Sequence, residues 1–113
     1  MGWAEDKLKE INEAFKKLAK DMPEQHRGFR DLMLATLKEG KLELKTKELI
    51  ALALGIASGC EWCIVIHTKK ALEAGATREE ILEAAYVAVL MAGGPAVMHI
   101  IPLLKALDEF SQK

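Results

Sequence analysis

Apolar residues recur at three- and four-residue intervals through most of the chain, and no run alternates β-branched with polar positions, so the pattern predicts helices and no strands. Six helices are expected. Over residues 3–21, Trp3, Leu8, Ile11, Phe15 and Leu18 form one stripe above a face rich in lysine and glutamate. Pro23 opens a second helix in its first turn, with Phe29, Leu32, Met33 and Leu37 inward and a stop at Gly40. Thr46 is the expected cap of a third, which runs to about Ser58 before Gly59 turns the chain. The fourth covers about Cys60 to Ala74 and stops at Gly75. Thr77-Arg78-Glu79-Glu80 reads as a capping box for the fifth, apolar at Ile81, Ala84, Ala85 and Ala88. Gly93-Gly94-Pro95 then breaks the chain. The last helix carries Val97, Ile100, Ile101, Leu104 and Leu107, and Pro102 is expected to kink it or move its start.

Helices three to five differ from the others in being apolar on nearly every side, as in Leu49–Leu54, Ile64-Val65-Ile66 and Ala84–Met91. At 113 residues the chain is expected to form a single domain, residues 1–113, which cannot bury such helices within itself. Further copies of the same chain are the expected cover, giving a homo-oligomer. The runs Leu49–Ala57 and Ala84–Ala92 are far shorter than a bilayer span and are interrupted by Gly55 and Tyr86, so no membrane association is expected. Apolar residues at 50% and charged residues at 29% are an ordinary globular balance. A net charge of −1, with lysines interleaved among acids, leaves no basic surface for nucleic acid. The polar start Met1-Gly2-Trp3-Ala4-Glu5-Asp6 has no apolar segment behind it, which makes the cytoplasm the default location.

Both cysteines fall in one short stretch, Gly59-Cys60-Glu61-Trp62-Cys63-Ile64-Val65-Ile66-His67. In a reducing compartment such a pair is more often catalytic or metal-binding than a structural staple. Cys60 and Cys63 at i and i+3 share a helix face and can close a disulfide, and His67, four residues on, lies on that face near Cys63. Helix N-terminal amides favour a thiolate at Cys60, and the imidazole can exchange a proton with Cys63. Glu48 can be placed by geometry. If helices three and four form a hairpin at Gly59, Glu48 lies about 16 Å before the turn and His67 about 12 Å beyond it. At similar depth, a buried Glu48 carboxylate would fix the tautomer of His67 and support it as a base. The pattern equally allows a first-turn glutamate pointing to water. Trp62 is expected to point away from the cysteine face and to pack elsewhere. His99 reads as a core or interface histidine within possible reach of the site, and His26, Lys69 and Lys70 read as solvated, although Lys70 shares the His67 face.

Glu48, eleven residues, then Cys60-x-x-Cys63-x-x-x-His67 resembles the active-site motif of the AhpD-like alkylhydroperoxidases, within the carboxymuconolactone decarboxylase superfamily. Ala74-Gly75-Ala76-Thr77-Arg78-Glu79-Glu80-Ile81 and Ala92-Gly93-Gly94-Pro95-Ala96-Val97 resemble the same superfamily, and the likeness covers about residues 25–107. The resemblance implies an all-α fold, a trimer or hexamer, and thiol peroxidase or disulfide reductase activity without an organic cofactor or metal. It further implies that Cys63 attacks a hydroperoxide, Cys60 resolves the product, Glu48 and His67 relay protons, and a dithiol protein donates electrons. One departure stands out: the best-known peroxidases of the group carry a histidine immediately before the second cysteine, where this chain has Trp62.

Three other readings remain open from the sequence. The pair could reduce a disulfide of a partner protein rather than a peroxide. Cys60, Cys63 and His67, with His99 or Glu48, could hold zinc, although a second CxxC or HxxxH is absent. Decarboxylase-type chemistry on a lactone acid is the third, and the cysteine pair argues against it.

Overall fold

The computed structural model describes residues 2–111, and every regular element among them is helical. The order is α1 (Trp3–Asp21), α2 (Pro23–Leu37), α3 (Leu44–Ser58), α4 (Glu61–Glu73), α5 (Arg78–Ala92), the single short turn α6 (Gly94–Met98) and α7 (Ile100–Ser111). No helix among these residues is long and apolar enough to cross a membrane.

The core forms where α3, α4 and α5 meet α7. Leu52 and Ile56 of α3, Ile64 and Ala71 of α4, Ile81, Ala85 and Ala88 of α5, and Leu103 and Leu107 of α7 interlock there. Each large side chain of this set adds roughly 1.5–3 kcal/mol through burial. A smaller cluster of Ala4, Val65 and Ala106, bordered by Trp3, Leu8 and Phe110, seats the start of α1 on α4 and α7. The Glu109 carboxylate completes that seat by accepting the Ala4 and Glu5 amides, both at 3.0 Å, in the way an N-cap side chain does. At the start of α5 the capping box is complete: Thr77 accepts the Glu80 amide, and Glu80 accepts the Thr77 amide. That amide and the Lys45 ammonium at 3.1 Å hold the Glu80 carboxyl below the usual carboxylate range.

Several boundaries differ from the periodicity. The third helix starts at Leu44 with Glu43 as its extended N-cap, so Thr46 lies inside the first turn and caps nothing. The second ends at Leu37, because Lys38 is already extended and Gly40 sits in the loop that follows. It also buries none of its residues: Phe29 and Leu32 are exposed, since α2 packs mainly on α1 and has no cover on its other side. The expected final helix is split at His99. Pro102 then falls in the first turn of α7, where its missing N–H breaks no bond. The new start resets the phase, so α7 buries Pro102, Leu103, Ala106 and Leu107 while Ile101 and Leu104 face outward.

Candidate functional site

Two features of the sequence bring the site together: a left-handed glycine and a glycine without a side chain to hold helices apart. Gly59, at φ 70°, ends α3 and allows Cys60 to become the N-cap of α4 immediately afterwards. The two helices run back antiparallel from this point. At Gly55 an added Cβ would lie 3.1 Å from the Cys63 Cβ, so the close approach of α3 to the cysteine turn depends on glycine there. Gly55→Ala is expected to cost about 1–3 kcal/mol, the range for overpacking a filled core. Urea unfolding of the variant beside the wild type checks it, and an unchanged midpoint would show that the hairpin yields freely.

Cys60 and Cys63 are joined in a disulfide, with Cα atoms 5.2 Å apart. The Cys63 amide donates to the Cys60 sulfur at 3.1 Å, one of the free N–H groups at the start of α4 directed at the N-cap. Negative charge on Cys60 would therefore meet a donor already in place.

Across the hairpin the Glu48 carboxylate lies 2.7 Å from Nδ1 of His67. Glu48 is only 2% exposed, which excludes the reading of a solvated first-turn acid. An ionised carboxylate only accepts, so the proton of the neutral imidazole sits on Nδ1 and the lone pair on Nε2. Every buried side-chain nitrogen and oxygen among the described residues has a partner.

Cys63 and His67 border one cavity of about 270 Å³. Ile11 and Phe15 of α1 with Phe29, Met33 and Leu37 of α2 make its apolar walls, and Trp62, Ile66 and Lys70 of α4 complete it. Cys60 is not among the lining residues. The helical hairpin α1–α2 thus stands beside one of the two sulfurs and the imidazole across a space with little polar surface.

Other candidates take different places from those expected. Trp62 borders the cavity instead of turning away from it; its Nε1 donates to Glu10 at 2.7 Å, and Lys7 sits 4.1 Å from its ring centroid. Lys70 is half-buried on the cavity wall, whereas Lys69 is exposed and lies 3.9 Å from Glu73. His26 packs edge-on against Phe15, with ring centroids 5.4 Å apart, and is not simply solvated. His99 bonds through Nδ1 to the Pro95 carbonyl at 2.7 Å and rests against Gly59, the residue before Cys60. Among the described residues, no group of three or more histidine, cysteine or acidic side chains is placed to hold a metal ion. The apolar stripes of α1 and α2 are legible in the sequence, but not that tertiary packing turns them toward Cys63.

With this geometry in hand, relatives are informative. A Legionella pneumophila protein of the carboxymuconolactone decarboxylase family has a similar structure, with a TM-score of 0.90 and 44% identity over 96% of each chain. An uncharacterised protein of Cupriavidus necator is 37% identical over 102 residues, 90% of each chain. An alkyl hydroperoxide reductase AhpD of Mycobacteroides abscessus is 39% identical over 57 residues, half of this chain and 33% of that protein. The model of the carboxymuconolactone decarboxylase family matches residues 23–106. The chain belongs to that family.

Proposed function

We propose that the protein is a thiol-dependent peroxidase in which Cys63 is the attacking sulfur and Cys60 resolves it. One observation carries the reading: a disulfide at a helix start has one of its sulfurs, and a carboxylate-supported imidazole, on the wall of an apolar cavity. In the reduced protein His67 Nε2 takes the Cys63 proton. The Cys63 thiolate then attacks the distal oxygen of R–OOH, forming the S–O bond of a sulfenic acid as the O–O bond breaks and alkoxide leaves. His67 returns the proton to the departing alkoxide, which leaves as R–OH. Cys60 gives up its proton and attacks the sulfenic sulfur; the S–S bond forms as the S–O bond breaks, and the hydroxyl leaves with that proton as water. A dithiol protein reduces the pair, taking the disulfide bond in exchange for two hydrogens. Such a donor pool fits the cytoplasm.

The AhpD relative supports a peroxidase reading over decarboxylation, because its name denotes the same chemistry. The test is dithiothreitol-supported removal of tert-butyl hydroperoxide. Protein-dependent loss of hydroperoxide that saturates with substrate is expected. Loss no faster than with dithiothreitol alone would overturn the reading in favour of a disulfide exchange partner. Lactone decarboxylation that survives Cys63→Ser would instead favour the third chemistry.

Self-association belongs to the same proposal. Tyr86, Val87, Leu90 and Met91, on adjacent turns of α5, are 60–80% exposed, and Met98 and Ile101 are exposed too, at 60% and 54%. This is more contiguous apolar surface than a small monomer usually leaves in water. Light scattering at micromolar concentration is expected to give a trimer or hexamer of the 12.5 kDa chain. A stable monomer would refute it.

A further inference from the structure

Lys70 is the one cation on the wall of the cavity that holds Cys63 and His67. It is half-buried, and among the described residues its ammonium has no hydrogen-bond or ion-pair partner. The two nearby carboxylates are engaged elsewhere, Glu48 with His67 and Glu73 near Lys69. Both border a neighbouring cleft that Lys70 also lines, but neither lies within ion-pair distance of its ammonium. An ammonium that borders an apolar space and has no partner within ion-pair distance is placed to meet an incoming anion. The other walls offer an incoming molecule hydrocarbon, from Phe15, Phe29, Met33 and Leu37.

We propose that Lys70 selects the substrate: the site takes hydroperoxides with an apolar body and a carboxylate, the carboxylate pairing with Lys70 while the peroxide meets Cys63. This rests on the peroxidase reading and adds a substrate class to it. The spacing sets a length. Lys70 is seven residues beyond Cys63 on α4, about 10 Å along the axis. A cavity of about 270 Å³ lies just below the usual size range for small-molecule sites, which suits a medium-length acid and not a long lipid. The chemistry is unchanged: the carboxylate stays ionised and takes no part in electron transfer, and its partner hydroperoxyl group becomes the hydroxyl of a hydroxy acid. Lys70 acts as a specificity-determining residue, bound to the end of the substrate remote from the reacting sulfur.

The test compares a medium-chain ω-hydroperoxy carboxylic acid with its methyl ester and with tert-butyl hydroperoxide, reading kcat/KM under dithiothreitol. The wild type is expected to prefer acid over ester on the order of tenfold or more, as a charge-assisted contact implies. In Lys70→Met that ratio falls toward one, mainly through KM, and Lys70→Arg keeps it. Raising salt narrows the ratio for the wild type if the contact is partly solvated. Equal rates for acid and ester in the wild type, or an unchanged ratio in a Lys70→Met protein of native circular dichroism, would overturn the role of Lys70 and leave the peroxidase reading standing. Failure of all three hydroperoxides to react would overturn both.

Discussion

Cys63→Ser is expected to lower hydroperoxide turnover on the order of 10³-fold or more, the scale seen when a nucleophile is removed from a working constellation. The serine hydroxyl occupies the same place on the cavity wall but cannot be oxidised to a sulfenic acid. Cys60→Ser should behave differently. Its Cys63 still reacts once with peroxide, but the sulfenic acid finds no resolving thiol and persists. Dimedone is then expected to label Cys63 stoichiometrically in Cys60→Ser and to label nothing in Cys63→Ser. The asymmetry follows from position, since Cys63 lines the cavity with His67 whereas Cys60 is absent from its lining. Stoichiometric labelling of Cys60 in the Cys63→Ser protein would reverse the assignment of the two sulfurs.

The second large effect concerns the Glu48–His67 pair. His67→Gln is expected to cut turnover by about 10²–10⁴, the usual worth of a positioned acid–base group. Glu48→Gln should cut it less, by about 10–100-fold, because the amide can still accept from Nδ1 but carries no charge to offset imidazolium. Alkylation of Cys63 by iodoacetamide separates this from damage to the fold. In the reduced protein, His67→Gln should slow alkylation at pH 7 by about tenfold and move its profile to higher pH. Glu48→Gln should move it in the same direction by less. A Glu48→Gln profile that coincides with the wild type would remove the glutamate from the mechanism and leave its 2% exposure and 2.7 Å contact as structural features.

Much of this site could be read along one dimension. The hairpin at Gly59 and the rise of a helix are enough to bring Glu48 and His67 to the same depth, and the 2.7 Å contact lies at that depth. The capping box at Thr77 and the stop at Gly75 depend only on neighbouring residues, and they lie where local rules put them. The all-α fold was legible from periodicity for the same reason.

What escaped the sequence depends on partners far away in the chain. Thr46 is a good N-cap residue, yet the cap falls three residues earlier, at Glu43. The apolar positions of the last helix do not reveal the break at His99, so they do not tell that Ile101 and Leu104 face outward. Trp62 and Lys70 were judged by their polarity and helix face alone. Both acquire their setting from α1 and α2, whose residues Ile11, Phe15 and Phe29 line the same cavity. The apolar stripe of α2 points partly to solvent for a related reason: amphipathicity shows which face seeks cover, not whether this chain supplies it.

Thiol counting on the reduced protein, before and after one equivalent of an alkyl hydroperoxide, tests the central claim most directly. The account predicts that two thiols become none, that mass falls by two hydrogens, and that peptide mapping finds a Cys60–Cys63 link with one equivalent of alcohol released. Dithiothreitol should restore both thiols. Two free thiols alongside unreacted hydroperoxide, or links only between chains, would contradict it.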